Sequence, residues 1–291
     1  MRMKFVCLVL IATLGCAGPA EDLEATSTPT DALSEALTFH ASFDDGMDAA
    51  FAKGDRRIYN APSYQELDQR GPGYVGEDIE IVADEGLAGD ALRFNKKNVT
   101  ALFYTAENNV AFLESDWSGT LSFWLRLDPA TDLEPGFCDP IQVTDTAYND
   151  NAIWVDFTKD NPRSFRLGVF GERDVWNPEN KSPDDYPAFE ERLVIVSEPP
   201  FAADRWTHVA IAFEHLGQPA GHATLYLDGE AQGSSQGIAE SFGWDMATAT
   251  IRLGVNYVGL YDELAVFNRP LSADEVMTLG ELEGGVASLH Q

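Results

Sequence analysis

The chain has 291 residues, 44% of them hydrophobic and 11% aromatic, which is ample for a core in one large domain or two small ones. Its net charge of −29 excludes nucleic acid and anionic membrane surfaces as partners, while supplying many carboxylate oxygens for hard cations.

At the N-terminus, Arg2 and Lys4 precede an apolar run over residues 5–14, which has signal-peptide length and is too short to span a bilayer. It ends in Thr13-Leu14-Gly15-Cys16, similar to a bacterial lipobox apart from Thr13. Residues 1–16 are therefore expected to be a signal peptide with lipidation at Cys16. The protein is expected at the cell surface or outer membrane as a lipoprotein, held to the membrane only by that anchor. Ordinary cleavage after Ala17 or Ala20, with secretion, is the alternative. Cys7 and Cys16 fall in this region, which leaves Cys138 alone, so no internal disulfide is expected and the domain must be held by its core. Cys138 reads as a small loop residue.

Residues 17–36 are polar and lack aromatics, and read as a flexible tether. From Leu37 the texture changes to short alternating runs separated by Gly, Pro, Asn and Asp: 37–43, 91–94, 99–105, 120–128, 141–144, 152–158, 164–170, 192–197, 206–214, 223–228, 250–256 and 259–267. Such a series predicts an all-β sandwich in one domain over residues 37–283, followed by a tail at 284–291. Asp228-Gly229 closes an alternating run and marks a hairpin turn. Near the end, Ser272 and Glu275 form a capping box, flanked by Leu271 and Val276 at staple positions, which predicts a short C-terminal helix. Two long loops, 44–90 and 171–191, are candidate carriers of function.

The stretches "GDALRF" (89–94), "SGTLSFWLRLDP" (118–129), "DRWTHVAIAFE" (204–214), "ATLYLDGE" (223–230) and "GLYDELAVFNRPLSADEV" (259–276), in that order, resemble the successive signatures of a laminin-G-like jelly-roll domain of the concanavalin A-like lectin/glucanase superfamily. The resemblance implies two packed antiparallel sheets, one of them concave, and extracellular recognition of glycans or proteins more often than catalysis. It also implies a structural calcium ion near the join of the first and last strands. Asp262 and Asp44 match the family's metal-proximal acids. Two carboxylates with loop carbonyls and water would satisfy calcium's six to eight oxygens; the alternative is that Asp262 and Glu263 are satisfied by Arg or by backbone N–H groups.

No catalytic motif of this superfamily is found. Its retaining glycosidases carry three acids on one face of a strand, spaced E-x-D-x-x-E. The nearest approach, "EDIEIVADE" (77–85), runs into the turn at Gly86 and reads as an acidic loop or edge strand. "DPIQVTD" and His208 do not reproduce lyase motifs. The protein is accordingly expected not to be an enzyme.

The remaining constellation comes from alternation. If Leu121, Phe123, Leu125, Ile153, Val155, Phe157, Leu167 and Leu253 face the core, then Trp124, Arg126, Trp154, Asp156, Arg166 and Arg252 face away from it. Aromatic, Arg and Asp side chains together suit sugar binding through stacking and bidentate hydrogen bonds. Cross-strand Arg–Asp pairing under the long loops is the structural alternative. The expected function is non-catalytic recognition of a polysaccharide or surface glycoconjugate. A protein-binding or structural surface role is the second reading, and a polysaccharide-active hydrolase or lyase the third.

Overall fold

The computed structural model describes residues 28–98 and 100–290. The expectations placed on residues 1–16, Cys16 included, and on most of the tether lie outside the described residues. The strands, in chain order, are β1 (Leu37–Ala41), β2 (Phe51–Ala52), β3 (Tyr59–Ala61), β4 (Gly71–Pro72), β5 (Ile79–Val82), β6 (Ala91–Phe94), β7 (Ala101–Thr105), β8 (Trp117–Arg126) and β9 (Cys138–Ala147). They continue as β10 (Asp150–Phe157), β11 (Phe165–Phe170), β12 (Val194–Val196), β13 (Thr207–Leu216), β14 (His222–Leu227), β15 (Glu230–Gln236), β16 (Thr250–Val255) and β17 (Gly259–Phe267). Helices α1 (Pro29–Ala36), α2 (Arg173–Trp176), α3 (Pro187–Glu190) and α4 (Ala273–Gly280) complete the fold.

The strands form two antiparallel sheets, as the alternating runs predict. One has the order β15-β14-β13-β8-β17-β1-β2, with the β5–β6 hairpin joined to β17. The other has the order β12-β11-β10-β9-β16-β7-β3-β4. "EDIEIVADE" supplies β5, which among the described residues is an edge strand paired with β6 alone. The main core lies between the sheets and takes one face of each strand: Phe123 and Leu125 from the first, Ile153, Val155, Leu167 and Leu253 from the second. The Asp228-Gly229 hairpin turn has both residues at positive φ (48° and 80°), the conformation a tight two-residue hairpin requires.

The outer face of the first sheet is not open. Helices α1 and α4 and a C-terminal turn at Val286–Leu289 lie on it and bury Trp124, Ala265 and Phe267. The α4 capping box forms as expected, Ser272 and Glu275 bonding reciprocally, with Leu271 and Val276 buried. Two domain boundaries move. Residues 29–36, expected as tether, form a helix capped by Thr28 and Asp31, and Leu33 and Ala36 are buried by it. In the expected tail, Val286 and Leu289 are buried against the same face. Short helices with one apolar stripe gain stability by packing, which polar composition alone conceals. Cys138, expected in a loop, begins β9 with its side chain in the core, and burial pushes its thiol up to about 12.

Candidate functional site

The outer face of the second sheet carries the candidate site. There β9, β10 and β11 lie side by side, with Asp156 opposite Arg166 and Trp154 opposite Gly168. Arg166 donates to Asp156 through Nε, at 2.8 Å, and through Nη2. Across the other edge of β10 the pairing jumps from Val155–Ile141 to Phe157–Cys138. Asp139 and Pro140 together oppose Asp156, a β-bulge that locally breaks the period of two. The bulge sends both Asp139 and Gln142 to the outer face, where Gln142 Nε2 donates to Asp139 Oδ2.

A cavity of about 610 Å³ opens over these residues. Its floor is Asp139, Gln142, Trp154, Asp156 and Arg166; Ser182, Pro183, Phe189 and Glu190 from the long loop overhang it, and Phe137, Tyr148 and Asn256 form the rest of its rim. Phe137 and Tyr148 are 41% and 40% exposed, so aromatic surface is available at the mouth. The Arg166 guanidinium lies over the Phe137 ring, 4.9 Å from its centroid. Burial, and next the neighbouring Asp156 carboxylate, hold Asp139 well above the usual carboxylate range. Burial also raises Asp156, but the Arg166 hydrogen bonds and charge act against it, which makes Asp156 the better anion of the two.

The side chains expected to share one surface do not all do so. Trp154, Asp156 and Arg166 come together in the cavity. Trp124 and Arg126 belong to β8 in the other sheet, with the core between. Trp124 is buried under α4, stacked on His208 at 4.1 Å; Arg126 pairs with Glu85 and lies 5.2 Å from the Trp206 ring centroid. Arg252 shares the outer face of the second sheet but points out of the cavity, donating to Thr146 O and Thr250 Oγ1 beneath the Tyr64 ring. Trp154 itself is only 1% exposed. Its indole lies flat across β11 because Gly168 has no side chain; a Cβ there would come within 2.2 Å of the ring. Phe170 and Phe189 stack beside it. Alternation fails to identify Asp139, Gln142, Phe137 and Tyr148: Asp139 lies in a bulge, Gln142 follows it, and the others sit outside regular strand. Only Pro140 hints at the bulge in the sequence.

The expected cation site is separate. Asp262 Oδ2 accepts the Leu87 N–H at 2.7 Å and Oδ1 the Glu263 N–H at 2.8 Å. Asp44 Oδ1 accepts the Asp90 N–H at 2.9 Å, so both acids hold the same turn between β5 and β6. Asp262 is fully buried, and burial pushes it up to about 8, with Glu263 and Asp44 adding smaller pushes in the same direction. Among the described residues no group of three or more His, Cys, Asp or Glu side chains is placed to hold a metal ion by itself. A hard cation here would rely on Asp44 and Asp262 with backbone carbonyls and water, and its charge would relieve a buried acid that has no basic partner among the described residues. The donor chemistry fits calcium.

Residues 103–277 match the laminin-G-like family model described as the concanavalin A-like lectin/glucanases superfamily. The chain belongs to this superfamily. Its fold is shared with solved structures of low sequence identity. Domain 4 of AbnA, a GH43 extracellular arabinanase from Geobacillus stearothermophilus, in complex with arabinotriose, matches with TM-score 0.50 and 18% identity over 84% of this chain and 98% of that one. The botulinum neurotoxin serotype D ligand-binding domain with N-acetylneuraminic acid matches with TM-score 0.56 and 11% identity, covering 87% of this chain and 52% of that one. The binding domain of botulinum neurotoxin DC with rat synaptotagmin II gives the same score and identity, covering 89% and 52%. The chain thus spans about half the length of these toxin domains. No curated protein matches the sequence.

Proposed function

We propose that this superfamily member is a non-catalytic recognition domain that binds a polysaccharide or surface glycoconjugate in the cavity over β9, β10 and β11. One observation carries the reading: exposed Phe137 and Tyr148 rings border a cavity whose floor presents hydrogen-bonding groups fixed by one another. Ring stacking at the mouth and directed polar contacts inside are what sugar recognition needs. The named ligands of the structural neighbours, arabinotriose, N-acetylneuraminic acid and a synaptotagmin, support glycan or protein recognition as the general class. In an affinity gel or glycan array, Phe137→Ala and Tyr148→Ala should each weaken retention by about 1 kcal/mol, with little change in melting temperature. Unchanged retention in both variants would remove the cavity mouth from recognition.

Cleavage of the bound polymer is the second reading, favoured by the Asp139–Asp156 pair in the cavity. Against it, Asp156 is committed to Arg166 and Asp139 to Gln142. Release of new reducing ends from a retained polymer, abolished by Asp156→Asn, would establish it.

Export and anchoring rest on the sequence alone. Cys16 is proposed as the lipidated residue of a cell-surface lipoprotein, and a fatty-acid label should tag the wild type and not Cys16→Ser. Calcium is proposed as a structural ion held by Asp44 and Asp262.

A further inference from the structure

The cavity narrows the ligand class, on the reading that it holds a sugar. Of the described residues lining it, Arg166 is the only basic one, against Asp139, Asp156 and Glu190. Both donating edges of Arg166 that face Asp156 are already used. A ligand carboxylate or sulfate would have to share the single guanidinium with Asp156 while standing beside the carboxyl groups of Asp156, Asp139 and Glu190. Its charge would be compensated only in part, which is costly in a partly buried cavity.

Asp139 sits beside this pair. Among the described residues its carboxyl group receives one hydrogen bond, from Gln142 to Oδ2, and Oδ1 receives none. The groups that act on it are Asp156 from β10, Arg166 from β11 and Gln142 from its own strand. Tyr64, which follows β3, and the adjacent Cys138 thiol are both held neutral by burial, and Glu190 of α3, which lines the same cavity, acts on Arg166. With Asp156 paired to Arg166, burial and like-charge repulsion favour the acid form of Asp139, which has an O–H to give.

We infer that the cavity takes an uncharged sugar residue and rejects acidic ones, with Asp139 donating a hydrogen bond from Oδ1 to a sugar oxygen. Ionisation of Asp139 removes that donor and adds a second negative charge beside Asp156, so binding weakens as pH rises. An Asn at this position keeps a neutral donor at every pH.

The test is affinity electrophoresis of the wild-type chain through arabinan, galactan, xylan, mannan and β-glucan, and through polygalacturonate, alginate, hyaluronan and dextran sulfate. High salt screens the overall negative charge of the protein, so that exclusion reports the cavity. At least one neutral polymer should retain the protein, with acidic polymers weaker by about tenfold or more. Retention should fall from mildly acidic to alkaline pH in the wild type and stay level in Asp139→Asn. Equal or stronger retention by an acidic polymer, or a pH-independent wild type, would overturn the inference while leaving glycan binding standing. Retention by no polymer of either class would defeat glycan binding itself, and the inference with it.

Discussion

Asp262 and Glu263 lie where β17 exchanges neighbours: its first residues pair with β6, and those from Leu264 onward with β1. The exchange needs a bulge, and Glu263 takes it at φ 52°. Each acid then accepts backbone N–H groups, from the bulge itself, from the turn between β5 and β6 and from the C-terminal turn. Asp262 bonds the Leu87 and Glu263 N–H groups, while Glu263 accepts the Val286 N–H at 2.5 Å and faces His40 Nε2 at 3.3 Å. Of these two acids, Asp262 is the one without a basic neighbour among the described residues. Its carboxyl titrates near ~3.9 in an unfolded chain and at about 8 in the fold. The folded state therefore holds the proton more tightly. The stability Asp262 contributes is full below its unfolded value and is lost as pH rises toward about 8. Calcium competes with that proton, so its stabilising effect should grow over the same interval. A chelator should lower the melting temperature more near pH 8 than near pH 5, Asp262→Ala should abolish the response, and Glu263→Gln should retain it. A melting temperature indifferent to chelator at both values, yet still falling with pH, would leave Asp262 as a hydrogen-bonded acid without a metal.

At the level of elements, the inner faces of the strands were legible and the outer ones only in part. Alternation correctly sends Ile153, Val155 and Phe157 inward and Trp154 and Asp156 outward. It carries no information about what covers the outward set. The segment between β11 and β12 brings Trp176 and Phe189 over Trp154 and Phe170, making a second small core outside the sheet. A tryptophan read as a binding platform is therefore a packed residue, while the accessible rings belong to loop positions that no periodicity marks. Trp154→Ala should cost about 3–5 kcal/mol in denaturant unfolding, as for other buried large aromatics. Gly168→Ala should cost about 1–3 kcal/mol, because the added methyl meets the indole. In the Trp154→Ala background the same Gly168 change should cost almost nothing, since the group it strikes is gone. Additive costs in that cycle would show that Gly168 is required for some reason other than the indole.

For the whole molecule, the sequence reveals a two-layer sandwich because a strand buried on one face must alternate, whatever sheet it joins. Sheet membership is another matter. β8 and β10 read alike, yet strand order places them in different sheets, and this separates Trp124 and Arg126 from the cavity. Long-range pairing of that kind is set by the closure of the whole fold, not by any local pattern. Net charge is also a property at this scale. With 48 acidic residues against 19 basic ones, self-repulsion opposes the compact state, and ion pairs such as Arg166–Asp156 and Arg192–Glu240 offset it only locally. Monovalent salt screens repulsion between exposed charges far more than it weakens these partly buried pairs. Sodium chloride should therefore raise the melting temperature, by about 2–4 °C for each kcal/mol gained in a domain of this size. Because the effect belongs to the summed charge, it should persist in Asp262→Ala and in the presence of chelator, where a calcium response would vanish. A melting temperature that falls with added salt would mean that the ion pairs outweigh the excess negative charge in holding the fold.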